Sequence, residues 1–347
     1  MLVYVCEPGW EAALREELVR VKPSAKIEVV SPGWLEAHPS SVEAESVKPV
    51  AFAFQCLPNA EATEAPSIRQ WAAFCAPRII EQLRGHDGAW RLHVFGVKVP
   101  GGTAGPRRCS LVREGILEIF RKKQRRLLRS LVEDPLAPWA EEEQLIQLGV
   151  RSAEKGYFSH ASPSDRIHHG STISRFPGGR VEIPEDRKAP ARAYRKLREA
   201  LLHANWSIEP GETVVDLGSS PGGWAYVALE AGAHVTAVDR SKLDSALMKH
   251  PRLEFVRGDA FKFAPLQPVD WLICDVIAFP NRIIELLDIW LSRGWCRRFC
   301  VTLKFRGTED YPIMDRVTPI LAARAKGTML RRLENNKNEV TVVGERA

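Results

Sequence analysis

From Met1 to about residue 155, short apolar runs (MLVYV, KIEVV, AFAFQCL, WRLHVFGV, QLIQLGV) alternate with longer stretches such as GWEAALREELVRV and SIRQWAAFCAPRIIEQL, in which apolar residues recur every three or four positions. The short runs predict strands and the longer spacing predicts amphipathic helices. This half therefore reads as α+β, with two small sheets and helices packed on them. The pattern lapses from Ser159 to Pro190, where Ser, Gly and Pro dominate, and predicts a connector or a substrate-side loop. Regularity returns with the helix ARAYRKLREALLHA, the strand TVVDL and a helix from Gly222. The strands HVTAVD, LEFV, WLICD and FCVTLKF follow, the last two separated by the helix NRIIELLDIWLSRG. Such alternation predicts an α/β unit built on a mostly parallel sheet with helices on both faces. The tail TMLRRLE, NNKN, EVTVVG predicts an antiparallel hairpin closing one sheet edge. The expected division is 1–158, a connector 159–190, and the α/β domain 191–347.

Composition narrows the partners. The 347 residues, 45% hydrophobic, suffice for more than one core. No run approaches the roughly 18 apolar residues of a membrane helix, and the opening lacks a charged lead and a cleavage site. A cytoplasmic protein with no membrane partner is expected. Seven cysteines without a CxxC pair give neither a disulfide framework nor a zinc knuckle. His168 and His169 have only Asp165 as a nearby carboxylate, so they read as solvated loop residues and no metal is expected. The formal charge of +6 tilts weakly towards polyanions. RKKQRRLLRSL, Arg121 to Leu131, continues LVREGILEIF as one helix and gathers six cations by Arg129. Those cations form either a solvated face complementing the helix dipole or a phosphate-contacting face, which Arg107 and Arg108 would extend.

The stretch VVDLGSSPGGWAYVAL, Val214 to Leu229, joins a strand to a helix through a glycine turn. A dinucleotide fold wants G-x-G-x-x-G there, but Ser220 occupies the place of the second glycine. A P-loop wants a lysine followed by serine or threonine, and the chain has Trp224 and Ala225. S-adenosylmethionine fits better. Asp239, ending the second strand, has two acceptor oxygens for ribose hydroxyls. Asp259 follows the third strand and suits an adenine amino group, while Ser220, Pro221, Gly222 and Gly223 let the methionine portion lie along the backbone. Asp216 stays close enough for a polar role. Singly each acid reads as a strand-end or capping residue, and together they read as a cofactor site.

Lys196 before the sheet, Asp275 ending WLICD, Lys304 ending FCVTLK and Glu339 opening the last strand can converge over the methyl donor. Singly, Lys304 reads as a solvent-facing cation and Glu339 as a turn acid. Together they suit attack by a hydroxyl, whose proton a neutral lysine amine can take. A free lysine, pKa about 10.4, is rarely neutral at pH 7. A neighbouring cation such as Lys196 and partial burial would lower that value, while Asp275 and Glu339 would orient the two lysines and balance charge.

This order around DLGSSPGGW resembles the K-D-K-E tetrad of the FtsJ/RrmJ-like ribose 2'-O-methyltransferases. The resemblance extends over most of the chain through CEPGWEAALREEL, GYFSHAS, APARAYRKLREAL, GDAFKF, LSRGWCRR, TLKF and NEVTV. It implies a Rossmann-like class I methyltransferase domain preceded by a ferredoxin-like and THUMP region that holds RNA. It further implies S-adenosylmethionine as cofactor and, as substrate, a cytidine of 23S rRNA near the peptidyl transferase centre, methylated on its 2'-oxygen before large-subunit assembly. DNA is not an expected partner. By the same resemblance Lys304 accepts the proton, while Ser220, Pro221, Gly222, Gly223, Asp239, Asp259 and Asp275 take cofactor positions. Ala193 stands where the family often has a serine, and residues 105–135 are more basic than the family's usual pattern. The alternatives are a ribose methyltransferase of another RNA, such as tRNA, and a catalytically silent RNA-binding assembly factor. Trp224 and Phe305 read as packing residues or as platforms for a base.

Overall fold

The computed structural model describes residues 1–38 and 50–347. It divides into two compact units, Met1–Val181 and Glu182–Ala347.

The first unit opens with β1 (Leu2–Val5), α1 (Glu11–Val21), β2 (Lys26–Ser31), β3 (Trp34–His38) and β4 (Gln55–Leu57), whose strands form an antiparallel sheet in the order β2-β3-β1-β4. A second sheet takes β5 (Glu61–Glu64), β6 (Trp90–Gly96), β7 (Gln144–Val150) and β8 (Lys155–Ala161) in the order β5-β8-β7-β6. Within it β6 and β7 run parallel. Chain order places α2 (Ile68–Gln82) before β6, and α3 (Pro106–Lys123) and α4 (Arg125–Arg129) after it. Alternation along β6 turns Trp90, Leu92 and Val94 into the core shared with Trp71, Ile79, Ile116 and Phe120 of α2 and α3. Phe95 joins Val3, Val5, Trp34 and Tyr157 in a second core.

Two expectations change here. The stretch from Ser159 begins inside β8, where sheet pairing claims it, and continues in α5 (Pro163–His169). Ser162 caps that helix: its hydroxyl accepts from Asp165 N at 3.2 Å, and Asp165 Oδ2 accepts from Ser162 N at 2.8 Å. The basic run is two helices, because the backbone leaves helical geometry at Gln124 (φ −145°, ψ 51°). Arg121, Lys122 and Arg126 on these helices form ion pairs with Glu114, Glu118 and Asp87.

The second unit contains α6 (Tyr194–Ala204), β9 (Thr213–Leu217), α7 (Gly223–Glu230), β10 (His234–Asp239), β11 (Leu253–Arg257) and β12 (Val269–Cys274). It continues with α8 (Pro280–Ser292), β13 (Cys296–Lys304), α9 (Met314–Arg324), β14 (Ala325–Arg331) and β15 (Glu339–Arg346). The seven-stranded sheet has the order β11-β10-β9-β12-β13-β15-β14. Its first five strands are parallel, and β15 pairs antiparallel with both neighbours. It is an α/β mixed sheet with the terminal hairpin at its edge. Strand order reverses between β9 and β12, and ligands of such sheets sit beyond the strands' carboxyl ends at that point. Among the described residues no helix is long and apolar enough to cross a membrane, and no group of three or more His, Cys, Asp or Glu is arranged to hold a metal ion.

Candidate active site

The loop after β9 is shaped by two glycines. Gly218 has φ +74°, and a Cβ there would lie 2.7 Å from Val276 Cγ2. Gly222, φ +113°, is the N-cap of α7, and a Cβ there would collide with Leu247. Only glycine combines that backbone with that approach. Gly218 N donates to Val238 O at 2.9 Å, and Ser220 N donates to Asp239 Oδ2 at 3.0 Å, which fastens the loop to the end of β10. Asp239 Oδ1 accepts from Ser241 N at 2.7 Å.

Beside this loop lies a cavity of about 370 Å³ whose walls include Asp216, Gly218, Ser220, Asp239, Asp275 and Lys304. Pro221 and Gly223 also face it, as does Ala193. Asp216 is buried, and its Oδ2 has no hydrogen-bond partner. Burial pushes its pKa well up and the charges of Asp275 and Asp239 add to this, against the lowering effect of the Ala225 N–H. Asp259 is not among the lining residues: Phe261 N donates to its Oδ1 at 3.0 Å and Arg240 pairs with its Oδ2 at 2.7 Å. Those two donors hold its carboxyl below the usual range. Trp224 is buried and donates from Nε1 to Ala193 O at 3.0 Å, and Phe305 packs edge-on against Tyr311 with centroids 5.1 Å apart. Both aromatics are engaged in packing, and Trp224 also lines the cavity.

The four charged positions meet at one wall. β13 and β15 pair in a register that sets Lys304 directly opposite Glu339. Asp275 is the first residue past β12, and α6 brings Lys196 in from the side. Lys196 Nζ lies 3.1 Å from Asp275 Oδ2 and 2.5 Å from Glu339 Oε1. Lys304 Nζ donates to the Asp275 backbone oxygen at 2.6 Å and lies 2.9 Å from its Oδ1, with Glu339 Oε2 at 4.0 Å. Burial pulls the Lys196 pKa down, but the Asp275 and Glu339 charges outweigh it and the net direction is up, so Lys196 is a cation. Asp275 and Lys304 line the cavity, with Lys196 and Glu339 packed against them.

Two supporting residues escape the sequence reading. Thr302 donates to Asp275 Oδ1 at 2.7 Å. It sits two positions before Lys304, so strand alternation alone places both on one face. Glu199, on α6, accepts from Glu334 N at 2.6 Å, Asn335 N at 3.0 Å and Asn335 Nδ2 at 2.7 Å, tying the β14–β15 turn to the helix that carries Lys196.

Residues 189–302 match the family model described as FtsJ-like methyltransferase. The second unit carries an FtsJ-like methyltransferase domain. S-adenosylmethionine is the cofactor of this methyltransferase domain. Over 98% of its length the chain is 28% identical to the ribosomal RNA large subunit methyltransferase M of Azotobacter vinelandii, covering 96% of that protein. It is also 28% identical to the Pseudomonas putida protein of the same name, over 97% of this chain and 95% of the relative. The Xylella fastidiosa (strain 9a5c) protein of that name is 36% identical over 46% of this chain and 47% of its own.

Proposed function

We propose that the chain transfers the methyl group of S-adenosylmethionine to the ribose 2'-oxygen of a cytidine in 23S rRNA before the large subunit is assembled, with Lys304 accepting the hydroxyl proton. One observation carries this reading: the Lys196–Asp275–Lys304–Glu339 cluster opens through Asp275 and Lys304 onto the cavity beside the Gly218–Gly223 loop. The near full-length similarity to proteins named for large-subunit ribosomal RNA supports the substrate class. The first unit, Met1–Val181, is read as a ferredoxin-like and THUMP region that holds the RNA, and the second, Glu182–Ala347, as the methyltransferase domain.

The residues suit the cofactor. The cavity volume, about 370 Å³, is within the range of small-molecule clefts. The methionine portion would lie along the backbone of Ser220, Pro221, Gly222 and Gly223. Asp239 has lone pairs left for ribose hydroxyls after accepting from Ser220 N and Ser241 N. Asp259 would take the adenine amino group, and Asp275 would lie against the cofactor from within the cavity. The unpartnered Oδ2 of Asp216 suits the ammonium of the amino-acid portion. When bound, S-adenosylmethionine supplies a methyl carbon open to in-line attack by a hydroxyl oxygen, the sulfur keeping the bonding pair as it leaves.

The remaining work belongs to the side chains. Lys304, in its neutral form, takes the hydroxyl proton as the oxygen attacks. Asp275 fixes the Nζ through its backbone oxygen and its carboxylate. Lys196 stays charged and orients Asp275 and Glu339, so the proton acquired by Lys304 arrives beside two carboxylates. Positioning the hydroxyl against the methyl carbon supplies much of the rate.

The test is methyl transfer from labelled S-adenosylmethionine to unmodified 23S rRNA, with the product nucleoside identified. Wild-type protein is expected to yield labelled 2'-O-methylcytidine, and Lys304→Ala to lower the rate roughly 10²- to 10⁴-fold. Label on a base would overturn the role of the tetrad. Label on tRNA alone would move the substrate, and no label on any RNA would favour a silent binding factor.

A further inference from the structure

Helix α8 begins four residues past Asp275 with its N-cap Phe279. Phe279 is 54% exposed, and among the described residues it is the one aromatic among the exposed large hydrophobic side chains. Arg306, two residues past Lys304, lays its guanidinium over the Phe279 ring at 4.6 Å from the centroid. The segments leaving the catalytic carboxylate and the catalytic lysine thus join in a flat cation-on-ring surface next to the site. Ile277, which lines the cavity, is 90% exposed beside it.

Two more such stacks follow along the same helix. Arg282, in the first turn of α8, lies over Phe261 at 3.9 Å, and Arg293, its C-cap, lies over Trp295 at 4.9 Å. They border a cleft of about 420 Å³ that Lys262 also lines, with Glu285 as its one lining carboxylate. Among the described residues, Lys262, Arg282 and Arg293 form no ion pair within 4.0 Å, while Arg306 is 3.7 Å from Asp310. With 13 residues at about 1.5 Å each, α8 is about 20 Å long, enough for several nucleotides.

We propose that this strip along α8 is the track for the acceptor RNA strand: single-stranded RNA whose bases stack on the Phe279–Arg306 platform and, farther along, on Arg282–Phe261 and Arg293–Trp295. The proposal rests on the ribose methyltransferase reading and names where the substrate strand lies. Aromatic rings and guanidinium planes stack on any base, and they require unpaired ones. A duplex would engage phosphates and leave the rings without a task. Lys262, Arg282 and Arg293, none of them in an ion pair within 4.0 Å among the described residues, supply the phosphate contacts, although Arg282 is near enough to Asp259 to lower its pKa.

The experiment is fluorescence anisotropy of the full chain with a labelled mixed-sequence oligoribonucleotide, single-stranded and annealed to its complement, across a salt series. Wild-type protein is expected to prefer the single strand. Phe279→Ala is expected to weaken binding about 10-fold and Phe279→Trp to restore it. The pair Arg282→Gln and Arg293→Gln is expected to flatten the log–log salt slope by about 1.4, two phosphates at about 0.7 each. Thermal melts confirm that each variant is folded. Tighter binding of the duplex, or wild-type affinity and slope in both variants, overturns the strip. If wild-type protein still methylates RNA in that case, the catalytic reading stands. Wild-type protein that binds no RNA overturns both.

Discussion

At the scale of single residues, Asp216 carries a cost of burial that the proposed binding of an ammonium would offset. Its carboxylate is buried on β9 with Oδ2 unpartnered, and burial raises its pKa well above the ordinary 3.8. In the window above 3.8 the unfolded chain has released this proton while the folded chain still holds it. The folded state therefore binds more protons there, and stability falls as pH rises through the window. An amide has no proton to lose, so Asp216→Asn is expected to melt at higher temperature than wild type at pH 7, by about 1 kcal/mol of added stability. The same change removes a carboxyl that a cationic ammonium would draw into its charged form, and S-adenosylmethionine affinity is expected to fall about tenfold, the equivalent of ~1.4 kcal/mol. Melting curves from pH 4 to 8 with and without cofactor check both. Identical pH dependence in the two proteins would remove Asp216 from this role.

At the scale of elements, the tetrad depends on α6 staying registered against the terminal hairpin. Glu199, buried three residues after Lys196 on α6, accepts two backbone N–H groups and one side-chain amide from Glu334 and Asn335 in the β14–β15 turn. Glu199→Ala leaves those donors without their partner, at about 1–3 kcal/mol for each that stays unsatisfied. The melting temperature is expected to fall by several degrees, and kcat to fall more than KM rises, because the Lys196–Glu339 contact loosens while the glycine loop is untouched. Unchanged kcat in a folded variant would show that the hairpin needs no such tie. This tie also shows what the sequence could disclose. VVD, WLIC and FCVTL were legible because central parallel strands are buried on both faces and read as apolar runs. The tetrad and the glycine loop were legible because each lies at a strand end or helix start. Glu199 was not, since its partners lie 135 and 136 positions away and nothing local marks the pairing. In the first unit, EATE was missed because Thr63 is its one buried side chain, and KGYFSHA because it breaks strict alternation. The break at Gln124 carries no glycine or proline to announce it.

At the scale of the whole molecule, the formal charge of +6 says little until the cations are sorted by what neutralises them. Those of α3 and α4 are in part held by Glu114, Glu118 and Asp87, whereas Lys262, Arg282 and Arg293 of the second unit have no ion-pair partner within 4.0 Å among the described residues. Exposed ion pairs contribute about 0–1 kcal/mol, so a phosphate can displace Asp87 from Arg126 at little cost. The two helices of the first unit are thus a second candidate phosphate-contacting face, with a weaker claim per cation than α8. Arg125→Ala with Arg126→Ala is expected to weaken RNA binding and flatten the salt slope by at most about 1.4. Because these positions share no partners with Arg282 and Arg293, the loss is expected to add to that of the α8 variants within about 0.5 kcal/mol. Anisotropy titrations of the two double variants and their combination at matched salt decide the matter. A wild-type slope in the Arg125 and Arg126 variant would take α3 and α4 out of the RNA-binding surface and leave the phosphate contacts to the catalytic unit.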